Sequence, residues 1–278
     1  MKRLLTYGFF LLLFPAASQA TEFIASRGEG LARTVTLSYP TASTLVNLPV
    51  ADLSSGSWSI ETGYNRLFEL SDLDQVFVAA AGRWRKVSVA FGLSQFGTSG
   101  LYTEKLMKGS LGIHLRQFAF GMTASGELVE IGNNYGTLRA AGLGLSAAYH
   151  WQRLRVALMA DDLNSPSLHE NSLDTKPRWN GYVEFRGEQS FLLTGRVLLQ
   201  RDQTAQFAFA QWLNLSSHAA FYWGIQTSPL RYGAGIELEF RKMRFTYATS
   251  VHPTLGFTHT VALSVGVGMH HQQRAGFE

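Results

Sequence analysis

The sequence has no cysteine, so disulfide bonds play no part in its fold. It also has little charge: charged residues make up 16% of the 278 positions, and 24 Lys and Arg nearly balance 20 Asp and Glu. Beyond residue 20, no apolar run is long enough to form a transmembrane helix. These absences exclude a disulfide scaffold and a helical membrane protein, and they give no reason to expect a nucleic-acid partner.

The first 20 residues have the three parts of a secretory signal peptide. Lys2 and Arg3 precede an apolar run over residues 4–15, and residues 17–20 supply the small side chains of a cleavage site. The apolar run is too short to span a membrane as a helix. We therefore expect export and cleavage near Ala20, which leaves 258 residues and removes two of the basic side chains.

The exported part is rich in aromatic residues and glycine, and its apolar residues alternate with small or polar ones. In residues 108–124, Leu111, Ile113 and Leu115 alternate in this way before Gln117, and Phe118 and Phe120 do so after it. Successive side chains of a strand point to opposite faces, so the stretch predicts two strands joined by a tight turn. Each strand has one apolar face and one small or polar face.

This alternation repeats about fourteen times between residues 57 and 269, in strands of roughly ten residues. Connections after even-numbered strands are short, whereas most of those after odd-numbered strands are longer. An even number of such strands with unequal rims is typical of Gram-negative outer-membrane proteins. The sequence therefore predicts an all-β fold, a transmembrane antiparallel up-and-down β-barrel of about 14 strands in contact with outer-membrane lipid. A water-soluble β-sandwich is the alternative.

Residues 21–56 show no sustained period but contain Leu, Val and Ala, so they are more apolar than a solvated tail. We expect them to form a periplasmic arm or a plug in the lumen, with a disordered leader as the alternative. Residues 57–269 form the predicted barrel, and residues 270–278 form a C-terminal tail.

Enzyme signatures are absent from the sequence. The eight His residues do not have the spacing of a zinc site, and Ser217 and His218 are adjacent, so on a strand they would point to opposite faces. Neither a Gly-x-Ser-x-Gly motif nor a phosphate-binding loop occurs. We expect no enzyme activity, no metal and no cofactor.

Candidate residues for a lumen or ligand site are charged or titratable residues at positions predicted to face inward. They are Glu61, Lys86, His114, Arg116, Glu127, Arg196, Glu237 and Arg244. Their mixed signs favour charge pairs across the lumen over an ion-selective ring.

Two segments resemble a known family. Residues 252–259, His-Pro-Thr-Leu-Gly-Phe-Thr-His, resemble the closing turn of the PorV/PorQ barrels, which belong to the wider FadL-like group of fourteen-stranded outer-membrane proteins. Residues 47–53, Asn-Leu-Pro-Val-Ala-Asp-Leu, resemble that group's Asn-Pro-Ala turn before the first strand, although Leu48 separates Asn47 from Pro49. The resemblance implies a lumen partly filled by the N-terminal segment.

The same resemblance implies either of two functions. FadL-like proteins move hydrophobic molecules, so the leading hypothesis is a barrel that binds or passes a small hydrophobic compound across the outer membrane. PorV and PorQ proteins are accessory proteins of secretion, so the rival is a non-conducting structural barrel with other envelope proteins as partners. An outer-membrane hydrolase is a distant third possibility.

Overall fold

The computed structural model describes residue 23 and residues 25–132, 136–166, 176–187 and 191–267. The predicted signal peptide and C-terminal tail lie outside these residues. Within them, fourteen antiparallel strands form one closed barrel in which each strand pairs with its neighbours in the chain, as the sequence predicted. None of the helices in the described ranges has the length and apolarity that crossing a membrane requires.

Among the residues that the structure describes, one short helix precedes the barrel, and strands account for most of the rest. The elements are α1 (Ala42–Asn47), β1 (Trp58–Arg66), β2 (Asp74–Trp84), β3 (Val87–Thr98), β4 (Tyr102–Leu115), β5 (Phe118–Ile131), β6 (Gly136–Trp151), β7 (Leu154–Asp161), β8 (Arg178–Arg186), β9 (Phe191–Gln200), β10 (Gln206–Ser216), β11 (Ala219–Gln226), β12 (Arg231–Phe240), β13 (Met243–His252) and β14 (Gly256–Val267), with single 3-10 turns at Leu67–Glu69 and Ser71–Leu73 between β1 and β2.

The first and last strands close the sheet. β1 pairs with β14 from Trp58 opposite Val267 to Arg66 opposite His259, so no edge strand remains in the described barrel. Closure satisfies the backbone hydrogen bonds of every strand internally, which a spanning sheet needs because lipid offers no partners.

The two faces of the wall differ as the alternation predicted. Along β3, Val89, Phe91 and Leu93 are exposed on the outer surface, whereas Ser88 and Ala90 are buried on the inner one. The same pattern continues around the barrel and produces an outer belt of exposed apolar side chains. A belt of this kind is the lipid-facing surface of a transmembrane barrel.

The two rims of the barrel are unequal. One rim, called here the short-turn rim, has two-residue turns at 85–86, 116–117, 152–153, 217–218 and 241–242. The opposite rim, called the long-loop rim, carries most of the longer connections. However, β3 to β6 are 12, 14, 14 and 16 residues long, more than the roughly ten predicted, and the connection between β3 and β4 is only residues 99–101.

A charge in the middle of the apolar belt should destabilise the barrel. Leu145 of β6 faces outward and is 59% exposed. We expect Leu145→Arg to lower the free energy of unfolding by about 2–4 kcal/mol, because its guanidinium would lie in hydrocarbon. Urea unfolding in phospholipid vesicles measures the change. Leu101→Arg, at an exposed position on the long-loop rim, is the control and should have little effect; equal effects of the two changes would contradict the membrane placement.

Candidate functional site in the lumen

The segment 25–56 lies inside the barrel, against the inner face of the wall. Almost all of its side chains are buried, and the short helix α1 within it contacts β1 to β4. Thr41 caps this helix by accepting a hydrogen bond from the Thr44 amide at 3.2 Å. We call this segment the arm.

Large apolar side chains of the arm pack against small side chains of the wall. The arm contributes Leu37, Leu45, Val46 and Leu48, whereas the wall contributes mainly alanine to the same cluster. Glycine in the wall allows closer approach still: a Cβ at Gly112 would lie 2.3 Å from the carbonyl oxygen of Pro49. The small inward-facing residues of the strands are therefore the surface on which the arm is seated.

Buried ion pairs fix the beginning of the arm. Arg27 donates two hydrogen bonds to Glu237 of β12, at 2.7 Å and 2.8 Å, and its guanidinium lies 4.5 Å above the ring of Trp212. Arg244 of β13 contacts the same carboxylate at 3.0 Å. All three charged side chains are almost completely buried, so Glu237 balances two guanidinium groups away from water.

A second buried carboxylate lies on the arm itself. Glu29 accepts a hydrogen bond from Arg231 of β12 at 2.8 Å and another from the Ser250 hydroxyl of β13, and Arg33 is 3.7 Å away. The arm therefore supplies both an arginine and a glutamate to β12 and β13. Each finds a partner of the opposite sign on the wall, as burial of charge requires.

Backbone groups of the arm are also bound by side chains of the wall. Glu184 of β8 accepts hydrogen bonds from the amides of Leu37 and Ser38, at 2.5 Å and 3.3 Å. Glu61 of β1 accepts one from the Ser43 amide at 2.8 Å. Such contacts satisfy the polar groups of an irregular buried chain, for which regular secondary structure offers no partners.

The end of the arm is held at the short-turn rim. Asp52 contacts Arg83 of β2 at 2.8 Å and Arg155 of β7 at 3.0 Å, through its two different carboxylate oxygens. The three side chains are only partly buried. This clamp bridges two strands on separate sectors of the wall, and it lies where the arm passes into β1.

Five of the eight predicted lumen residues contact the arm, or a residue that binds it. Glu61, Glu237 and Arg244 do so as described above. Arg196 of β9 donates to the Arg33 carbonyl at 2.8 Å, and His114 of β4 is 3.1 Å from the Ser88 hydroxyl, which in turn bonds to the Pro49 carbonyl. Most of these contacts join the arm to the wall. Pairs between wall residues, which the sequence predicted, also occur: Arg244 with Glu237, and Lys108 of β4 with Asp161 of β7 at 3.4 Å.

The other three predicted residues lie apart from the arm. Glu127 is partly buried on the inner face of β5, opposite Leu106 of β4. Lys86 and Arg116 do not face the lumen: each is exposed in a two-residue turn of the short-turn rim. Their predicted lumen placement was wrong because β3 begins only at Val87 and β4 already ends at Leu115, so both residues lie in turns, where the alternation of a strand does not apply.

Several residues that join arm and wall were missed by the sequence analysis. They are Arg27, Glu29 and Asp52 of the arm, and Arg83, Arg155 and Arg231 of the wall. The available signal was composition, because residues 25–56 contain only four charged side chains among many apolar ones. A charged residue in an otherwise apolar segment is a candidate for a buried ion pair. Among the described residues, no group of three or more potential ligands is placed to hold a metal ion.

Solved structures with the same fold exist, although the sequence matches no protein-family model and no curated protein. The chain is similar to the Pseudomonas putida toluene transporter TodX, with a TM-score of 0.63 and 7% identity over 88% of this chain and 97% of that one. It is also similar to a Pseudomonas aeruginosa FadL homologue, with a TM-score of 0.53 and 12% identity over 87% and 97% of the two chains. A third is the CymD monoaromatic hydrocarbon channel, with a TM-score of 0.55 and 9% identity over 89% and 93%. At these identities the similarity shows a FadL-like barrel fold.

Loss of the carboxylate that balances two arginines should release the start of the arm. Glu237→Gln leaves Arg27 and Arg244 buried without their counter-charge, a change that costs about 3–5 kcal/mol at comparable buried pairs. We expect faster hydrogen exchange and faster proteolysis in residues 25–40 than in the wild type. Glu130→Gln, which removes the exposed partner of Lys105, is the matched control and should change neither. An arm equally protected in both variants would refute the anchoring role.

Proposed function

We propose that this protein is an outer-membrane channel of the FadL-like type that binds or passes a small hydrophobic compound, with the arm as the plug of its lumen. The observation that carries the proposal is the apolar seat of the arm. Leu31 and Tyr39 pack against Trp212 and Tyr222 of the wall, and Phe23, two residues before the arm, packs on Phe77 of the wall. Displacement of the arm would open an inner surface suited to apolar compounds, since ligand sites are concave and mostly apolar.

The proposal is supported by what the similar structures are named for. TodX is described as a toluene transporter and CymD as a monoaromatic hydrocarbon channel. We propose that this chain also takes a small hydrophobic compound. We further propose that it is exported by a signal peptide cleaved near Ala20 and lies in the outer membrane. Under this proposal, the short-turn rim faces the periplasm, as short turns do in bacterial barrels.

A specific observation favours a second function. The arm is fixed at both ends by ion pairs, at Arg27 and Glu29 near its start and at Asp52 near its end. A lumen that is filled and anchored in this way also fits a non-conducting barrel that serves secretion or envelope assembly, the role that the PorV/PorQ resemblance of residues 252–259 implies. Its partners would be other envelope proteins.

A reversible cross-link between arm and wall separates the two functions. A Cβ built on Gly92 of β3 lies 3.1 Å from Cγ1 of Val46 in the arm, so cysteines at these two positions have the separation that a disulfide needs. The chain has no other cysteine to compete. We expect the Val46→Cys, Gly92→Cys variant to conduct ions in planar bilayers when reduced and to stop conducting when oxidised, and we expect toluene to block the reduced form.

The single-cysteine variants are the controls and should not respond to oxidation. They also account for the ring of Phe23, which must turn aside to admit a side chain at position 92. A conductance that is present and equal before and after oxidation would exclude the arm as plug. No conductance in either state would exclude the channel and leave the structural barrel.

A further inference from the structure

The short-turn rim carries an unusual set of exposed cations. Two of its turns are Arg85–Lys86 and Arg241–Lys242, and a third begins with Arg116. All five side chains are exposed, and none makes an ion pair with another described residue. At the described part of this rim, the partly exposed Asp52 is already engaged by Arg83 and Arg155. Within the described residues, the charge of these five side chains is therefore not balanced by a carboxylate.

The long-loop rim is different, because three of its exposed cations form ion pairs. Arg66 lies 3.1 Å from Asp74, and Lys105 lies 2.9 Å from Glu130. Lys176 contacts Asp202 on the same rim. Arg201 directly precedes Asp202 in the chain, and Arg139 is exposed without an ion pair to another described residue. The described long-loop rim therefore has a carboxylate beside most of its exposed cations, whereas the short-turn rim leaves five exposed cations available to an external anion.

The backbone is strained at three of these cations. Arg85, Arg116 and Arg241 have φ values of 52°, 51° and 55°, in the left-handed region where glycine or asparagine is the usual turn residue. A residue with a long side chain in this region costs about 1–2 kcal/mol. Gln152, which begins a fourth turn of this rim, has a φ of 49°, so the conformation belongs to the two-residue turn itself. In three of these four turns the strained position is occupied by arginine, although glycine would relieve the strain.

Each of these turns also adjoins an exposed apolar side chain at the border of the outer belt. Trp84 precedes Arg85 and is 77% exposed, and Phe240 precedes Arg241 and is 67% exposed. The guanidinium of Arg241 lies 5.4 Å from the ring of Phe240. Aromatic side chains in this position mark the level of the lipid headgroups, so the adjacent cations lie at the height of lipid phosphates.

We propose that the short-turn rim binds the phosphate groups of anionic phospholipids in the leaflet that it meets, through Arg85, Lys86, Arg116, Arg241 and Lys242. The site rests on the barrel spanning a membrane but not on the passage of any compound. Arginine suits the task because its guanidinium matches a phosphate with two parallel hydrogen bonds. The membrane surface is favoured over an acidic protein because each of the three turns directly follows an outward-facing apolar side chain, which is Trp84, Leu115 or Phe240.

The test is competitive lipid retention by the full chain, purified from vesicles of equal phosphatidylglycerol and phosphatidylcholine and examined by native mass spectrometry. We expect the wild type to retain phosphatidylglycerol roughly tenfold over phosphatidylcholine, because several adjacent cations each favour an anionic headgroup. Changing the five cations to Gln should abolish the preference. The matched control changes Arg66, Lys105, Arg139, Lys176 and Arg201 of the long-loop side to Gln and should keep it.

A second variant separates a lipid role from a structural one. Arg85→Gly, Arg116→Gly and Arg241→Gly together relieve the backbone strain, so in phosphatidylcholine vesicles the triple variant should unfold at an equal or higher urea concentration than the wild type. It should nevertheless lose the phosphatidylglycerol preference. The proposal is overturned if the wild type shows no preference, if the five-residue variant keeps it, or if excess inorganic phosphate alone displaces the bound lipid.

Discussion

A closed barrel of fourteen strands must fill its interior, and this requirement determines how the arm and the wall are built. Closure of β1 on β14 satisfies the backbone but leaves an inner face of small residues and buried charges. Neither the small residues nor the buried charges are stable by themselves. Alanine and glycine leave voids, and a charge away from water needs a counter-charge. The arm supplies both the volume and the opposite charges.

The ion pairs between arm and wall determine the position of the arm more than they stabilise the folded barrel. Replacing a buried ion pair by apolar residues is often neutral for stability, whereas removing one partner is costly. Glu237, held between Arg27 of the arm and Arg244 of the wall, is satisfied in one arrangement of the arm only. Asp52 has the same effect at the other end, where it joins Arg83 and Arg155.

The sequence allowed prediction of the barrel because the alternation of a strand is local and repeats in every element. It did not allow prediction of the arm's contacts, because a chain without a period gives no sign of which residues face which strand. Lys86 and Arg116 show the limit of prediction within the wall: a boundary between strand and turn that shifts by one residue moves a side chain from the lumen to the rim. Arg27 and Glu29 show the limit of prediction within the arm, since their partners lie more than 200 positions away in the chain.

The two ends of the arm differ in a way that bears on how it could move. At its start, Arg27 and Glu29 are fully enclosed, so separation from the wall would expose uncompensated charge to a low-dielectric interior. At its end, Asp52 and its two arginines lie at the rim, where water can replace each partner at small cost. A plug built in this way would open first beside Asp52, at the short-turn rim, while its buried start keeps it attached to β12 and β13. The direction of opening follows from the difference in burial between two sets of ion pairs of similar geometry.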